Sequence, residues 1–262
     1  MKQTVRYFSF CISFIFIIMS LTQSVSGEVT GWYCRRNTDH KQPLAAGDIS
    51  YVEELGGYYI DHRHGDNSEE KVVYLTFDAG YENGNVARIL DTLEAENVKG
   101  AFFILGNLIT KNTDLVRRMA DDGHTVCNHT NTHKDMTKVS SADELRAELE
   151  SLETLYREHT GREMPKYYRP PEGKFDRRTM EYVHSLGYKT IFWSFAYADW
   201  DNNSQMSRDA AKQKIMDNIH NGAVLLLHPT SATNADILGE VIRELKGQGY
   251  RFGTLDELTA EV

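Results

Sequence analysis

Apolar residues fall along the chain in three regimes. Residues 7–21 form an almost unbroken apolar run, 28–70 are irregular and polar with glycines as punctuation, and from Lys71 onward short apolar runs alternate with amphipathic stretches. The run at 71–77 (KVVYLTF) is β-branched and aromatic and predicts a strand. Gly80 and Gly84 break it, and 85–97 then carries Val86, Ile89, Leu90 and Leu93 at helical spacing. The alternation continues. It predicts strands at 100–105, 124–127, 167–169, 188–194, 223–227 and 250–252, and helices at about 114–122, 142–159, 176–186, 208–221 and 235–246. Strands that are apolar throughout, such as AVLLL at 223–227, are buried on both faces, as in a parallel sheet covered by helices. Seven strand–helix units with no internal repeat or low-complexity linker favour a single α/β barrel over an open sheet.

The first regime has the layout of a secretory signal peptide. Lys2 and Arg6 precede the apolar run and Ser24, Ser26 and Gly27 follow it, so cleavage is expected after Ser26. The run falls short of the ~20 apolar residues a spanning helix needs, which disfavours an uncleaved anchor or stable membrane insertion. The chain therefore divides into a signal peptide at 1–26, an N-terminal extension packed on the barrel at 27–70 and the main domain at 71–262, exported to an extracytoplasmic location.

Charge narrows the partners. The whole chain carries −9; without residues 1–26, 236 residues remain with 27 basic and 38 acidic side chains, a net −11. Such a chain lacks the positive field that gathers phosphates, which excludes nucleic acid and anionic membrane surfaces. Its length buries a core unaided, and a monomer is expected. Cys34 and Cys127 are the only cysteines beyond the signal segment, and export permits a disulfide or two free thiols equally.

The polar chemistry collects at strand ends. Asp78 ends the first predicted strand, His129 and His133 follow the third, Arg169 ends the fourth, Asp199 trails the fifth and His228 ends the sixth. That is where loops converge in parallel α/β folds. His129 and His133, four apart and read as a helical turn, can grip a divalent ion such as Zn²⁺. Asp78 is suited to act as a general base beside that ion. His228 is suited to protonate a leaving amine, with Asp199 holding it charged, and Arg169 to orient Asp78 through a bidentate contact. By contrast, the cluster Asp61-His62-Arg63-His64 lies beside a Gly65-Asp66-Asn67 turn signal with no further ligand at useful spacing, and reads as a solvated loop.

Thr76-Phe77-Asp78, His129-Thr130-Asn131-Thr132-His133, Arg169-Pro170-Pro171, Asp199-Trp200 and Leu225-Leu226-Leu227-His228 resemble, in order, the five motifs of the polysaccharide deacetylases, carbohydrate esterase family 4. The resemblance covers residues 71–252. It implies a distorted (β/α) barrel, partly open on one side, that hydrolyses N-acetyl groups of a cell-wall or structural polysaccharide with one divalent cation, Zn²⁺ or another. Carried over, Asp78 is the base, His129 and His133 the metal ligands, His228 the acid, Arg169 the base's partner and Asp199 the acid's partner.

Two positions depart from the family pattern. Ala79 stands where a second Asp usually supplies the third protein ligand, so the metal is expected to bind weakly. Glu172 stands where an aromatic residue is usual; its backbone N–H still serves an oxyanion. The stretches at 76–85 and 169–173 resemble one subgroup, which removes acetyl from N-acetylmuramic acid in peptidoglycan on the way to the muramic delta-lactam of spore cortex. That implies glycan strands as partner, with Trp200 beside the substrate and Arg169 and Lys174 as the nearest cations for its lactyl carboxylates. The rival readings are a deacetylase of N-acetylglucosamine polymers or acetylated xylan, and a non-catalytic glycan-binding relative, which Ala79 motivates.

Overall fold

A computed structural model describes residues 28–35, 39–45 and 50–260, so the expected signal peptide at 1–26 lies outside the described residues. Two short strands, β1 (Thr30–Gly31) and β2 (Gly57–Tyr58), flank helix α1 (Ser50–Glu54). The alternation then runs β3 (Lys71–Ala79), α2 (Asn85–Ala95), β4 (Ala101–Ile104), α3 (Gly106–Lys111), α4 (Thr113–Asp121), β5 (Thr125–Asn128), α5 (Ala142–Thr160) and β6 (Tyr167–Tyr168). It finishes with β7 (Lys174–Phe175), α6 (Arg177–Ser185), β8 (Lys189–Ile191), β9 (Phe195–Ala196), α7 (Arg208–Asn218), β10 (Ala223–Leu227), α8 (Ala232–Gly247), β11 (Tyr250–Phe252) and α9 (Leu255–Leu258).

The main sheet has the order β2-β8-β6-β5-β4-β3-β10-β9, every pair parallel, with β11 beside the first residues of β3. It curls because one continuous stretch carries both of its ends. The early part of 189–196 pairs with β6 and β2, and its last residues pair with β10. Ile60 then bridges antiparallel to Ala223, and the Asp61 N–H donates to the Gly222 carbonyl at 2.9 Å. The result is a distorted, partly open parallel barrel: the strand pattern predicts the barrel, and the family resemblance implies its distortion and open side.

Alternation along β3 accounts for its unbroken apolar sequence. Val73, Leu75, Phe77 and Ala79 pack outward against α2 and α8, while Val72 and Tyr74 join Phe103, Cys127, Ile191 and Val224 in a second cluster. Full burial of each Val, Leu or Phe contributes about 1.5–3 kcal/mol. Local signals set the helix ends. Ser141 accepts the Glu144 N–H ahead of α5, Asp176 and Thr179 form a capping box on α6, and Ser231 caps α8 at Asn234, three residues before the predicted start. No described helix is long and apolar enough to cross a membrane.

One expectation changes. The 61–64 segment is solvated only in part, as a 3₁₀ turn at 62–64 with His62 and Arg63 exposed: Asp61 is buried and accepts from Tyr74 Oη at 2.5 Å, His64 Nδ1 at 2.8 Å and Arg63 Nε at 3.0 Å. Burial alone works against this carboxylate, but the Arg63, Tyr74 and His64 donors outweigh it and hold its pKa well below the usual range. Of the two states left open for Cys34 and Cys127, the structure has free thiols, Cys127 in the buried second cluster and Cys34 against the Trp193 carbonyl at 3.5 Å.

Candidate active site

Strand register assembles the site. Phe77 is level with Leu227, so Asp78 and His228 occupy the next step on neighbouring strands; Asn128 is level with Tyr168, which does the same for His129 and Arg169. Adjacent strands lie about 4.8 Å apart, so these four groups share one rim of the barrel. They open onto a cleft of about 770 Å³, with Asp78, His129, His133, Glu172, Trp200 and His228 among its lining residues.

Arg169 is fully buried and its guanidinium is engaged throughout. Nη1 donates to Asp78 Oδ1 at 2.8 Å, Nη2 to Thr76 Oγ1 at 2.8 Å and to the Phe192 carbonyl at 3.2 Å, and Nε to the Ile191 carbonyl at 2.9 Å. The contact with Asp78 is therefore single rather than the bidentate one expected, because the other donors are committed to Thr76 and to carbonyls at the end of β8. Burial opposes the Asp78 carboxylate, but Arg169, followed by His129 and His228, outweighs it and holds its pKa below the usual range. Asp78 is thus an ionised base at neutral pH.

His129 Nδ1 lies 2.8 Å from the Arg169 carbonyl, which only accepts, so Nδ1 carries the hydrogen and Nε2 is bare. Nε2 lies 3.5 Å from Asp78 Oδ2. Burial pushes this imidazole down to about 4, so it is neutral. The His133 ring lies 5.0 Å from it at 70°. The pair does not sit on a helical turn: Thr130 and His133 take left-handed φ values of 69° and 60°. Asn128 Oδ1 accepts the Thr130 N–H at 2.9 Å and Thr130 Oγ1 accepts the His133 N–H at 3.0 Å, so the loop doubles back. Gly106 lets this loop approach closely, since a Cβ there would meet Asn131 Oδ1 at 1.9 Å.

The donor set fits a loosely held metal ion. A neutral imidazole whose far N–H is fixed by a carbonyl is a prepared ligand, and His133 adds a second. Ala79 supplies nothing: it lies with Val73, Leu75 and Phe77 in the outer cluster, and no group of three His, Cys, Asp or Glu among the described residues is arranged to hold an ion.

On the other side, Asp199 holds His228 twice, Oδ1 taking Nδ1 at 2.6 Å and Oδ2 taking the backbone N–H at 2.9 Å. Asn234 Nδ2 also donates to Asp199 Oδ2, at 2.6 Å, while Tyr197 Oη donates to Asn234 Oδ1. Burial works against charge on His228, but the Asp199 hydrogen bond and charge outweigh it and raise its pKa above the ordinary imidazole value. The exposed Trp200 ring stands edge-on to His228 at 5.9 Å.

Glu172 sits in a 3₁₀ turn, 171–173, with φ 57°, a left-handed conformation that costs a side-chain-bearing residue about 1–2 kcal/mol. Its carboxylate pairs with Lys174 Nζ at 2.6 Å, and Lys174 does not line the cleft. Neither cation expected for a lactyl carboxylate is therefore free in the cleft: Arg169 is sealed behind Asp78 and Lys174 is neutralised by Glu172. Sequence reasoning missed Thr76, Trp193, Tyr197 and Asn234. Thr76 was visible as the one aliphatic hydroxyl inside KVVYLTF, and Asn234 as the residue three after the Ser231 cap; Trp193 and Tyr197 carried no local signal.

A carboxylate base and a carboxylate-supported imidazolium facing one cleft, beside two convergent imidazoles, define a hydrolase that cleaves a bond with a basic leaving group. Residues 65–191 match the polysaccharide deacetylase family. The Bacillus subtilis peptidoglycan-N-acetylmuramic acid deacetylase PdaA is 37% identical over 240 residues, 91% of this chain and 89% of that protein. Its structure, that of a family 4 carbohydrate esterase, superposes with a TM-score of 0.82 over 88% of this chain and 97% of that one. A family 4 carbohydrate esterase from Bacillus anthracis is 36% identical with a TM-score of 0.68, covering 86% of this chain and 98% of that one. A Bacillus cereus peptidoglycan-N-acetylglucosamine deacetylase is 33% identical over 190 residues, 71% of this chain and 67% of that protein. The chain belongs to the polysaccharide deacetylase family, the family 4 carbohydrate esterases. Enzymes of this family are generally metal-dependent hydrolases.

Proposed function

We propose that the chain removes the acetyl group from N-acetylmuramic acid residues of peptidoglycan glycan strands outside the cytoplasm, the step that frees the amine from which muramic delta-lactam forms in a spore cortex. The observation that carries this reading is the near full-length similarity to PdaA at 37% identity, against 33% over a smaller share of the chain for the N-acetylglucosamine enzyme. In this reading residues 1–26 are a cleaved export signal, 27–70 an extension that packs on the barrel and lends it the edge strand β2, and 71–262 the rest of the catalytic domain.

The chemistry follows from the two pairs. Asp78, kept ionised by Arg169, takes a proton from a water in the cleft as that water's oxygen bonds to the acetamide carbonyl carbon. The Glu172 N–H meets the oxyanion of the tetrahedral intermediate. His228, held protonated by Asp199, gives its Nε2 proton to the nitrogen as the C–N bond breaks, leaving acetate and a free amine. His129 and His133 would hold a divalent ion, Zn²⁺ or another, which would supply Lewis acidity and acidify water.

The test is mass spectrometry of muropeptides after incubating the protein with glycan strands stripped of their peptides. Loss of acetyl from muramic acid residues is expected; loss from glucosamine residues alone would replace the substrate assignment.

A further inference from the structure

We propose that Trp32 is a positioning residue for the deacetylation chemistry, fixing the left-handed Glu172–Gly173 turn and the Trp193 wall of the cleft from outside the region that matches the family. That role rests on the use of the Glu172 N–H proposed above. Four observations converge on it. β1 pairs antiparallel with β7, Thr30 opposite Phe175 and Gly31 opposite Lys174, so the extension meets the chain directly after the turn. The Trp32 N–H donates to the Gly173 carbonyl at 2.9 Å, and its indole Nε1 donates to the Trp193 carbonyl at 2.8 Å. The Trp32 ring is buried and stacks on Phe192 with centroids 4.2 Å apart. Gly173, at φ 65°, is wedged between the two tryptophans: a Cβ there would meet the Trp193 ring at 2.7 Å and Trp32 Cβ at 3.2 Å.

Two successive left-handed residues, one of them Glu172, persist only where their surroundings over-determine them. Here the surroundings are Trp32 on one side and Trp193 on the other. Glu172, Gly173 and Trp193 all line the cleft, whereas Trp32 reaches it only through them. A family match beginning at residue 65 therefore leaves out part of what shapes the oxyanion side.

The test compares Trp32→Ala and Trp32→Phe with the parent protein in acetate release from stripped glycan strands, thermal unfolding and hydrogen exchange of the amides at 172–175. Folded Trp32→Ala is expected to lose roughly 10- to 100-fold in kcat with KM little changed, because small misplacement of an oxyanion donor acts on the transition state. Its 172–175 amides should exchange faster, and Trp32→Phe, which keeps the stack but loses the Nε1 bond, should fall between. A merely structural tryptophan would lower the unfolding midpoint yet leave kcat of the folded fraction alone, and that result overturns the proposal. If Trp32→Ala does not fold, Trp32→Phe decides, and unchanged kcat overturns it. If the parent protein releases no acetate, the deacetylase reading fails by itself. Exchange at 172–175 then judges the link between Trp32 and the turn: faster exchange supports it and unchanged exchange overturns it.

Discussion

His228 and Asp199 are joined at two points, imidazole Nδ1 to Oδ1 at 2.6 Å and backbone N–H to Oδ2 at 2.9 Å, so one buried carboxylate sets both the ring's charge and the position of its strand end. Removing the negative charge while keeping the shape should separate these effects. In Asp199→Asn the His228 pKa falls, the alkaline limb of the kcat/KM profile moves to lower pH, and activity at pH 8 drops by roughly 10²-fold. The stability effect has a definite sign. Since the folded-state pKa of His228 is raised, its pairing stabilises the fold below the ordinary imidazole pKa, and that contribution fades as pH rises through the raised value. Urea unfolding across this window should show parent and variant converging at high pH; a constant gap would contradict the assignment.

Arg169 cannot be replaced by another cation. Its guanidinium serves Asp78, Thr76 and two carbonyls in one plane, over the Phe103 ring at 4.1 Å. A lysine ammonium cannot span those acceptors and leaves carbonyls unpaired in the core. Arg169→Lys should therefore lose about 3 kcal/mol of stability, the scale of breaking a buried pair, together with most acetate release. Denaturant unfolding within 1 kcal/mol of the parent would show that the network tolerates a point charge.

Much of this site was legible in the sequence because it follows strand ends. AVLLL at 223–227 marks β10 to the residue, and a polar group directly after such a run has to sit on the rim. Tertiary partners decided the rest. Asp61 looked solvated because Tyr74, which donates to it, lies in β3 rather than beside it in the loop. The His129–His133 spacing suggested a helix, but Asn128 and Thr130 side chains tie the loop back on itself and give Thr130 and His133 positive φ. Trp32 offered no signal, since its partners are 141 and 161 residues away and only strand pairing brings them to it.

The imidazole pair without a third ligand predicts a particular response to metal. Chelation followed by dialysis should abolish most activity, and recovery in metal-buffered solutions should need free Zn²⁺ well above that which reloads a site of three protein ligands. His129→Ala should shift recovery further, since His129 carries the prepared Nε2. Undiminished activity in strong chelator would show that Asp78 and His228 suffice alone.

Trp200 tests how the cleft grips sugar. Tyr81 and Trp200 are two of the five large hydrophobic residues exposed among those described, and both line the cleft. Exposed aromatic faces beside the His228 imidazole are costly to leave in water unless they stack on the apolar face of a pyranose. Trp200 touches the edge of His228 but makes no hydrogen bond to it, so its contribution should be the same in ground and transition states. Trp200→Ala should then raise KM roughly tenfold with kcat within about twofold, the signature of lost uniform binding. A fall in kcat with unchanged KM would instead assign Trp200 to holding the His228 ring, and would move it from the substrate's side of the cleft to the acid's.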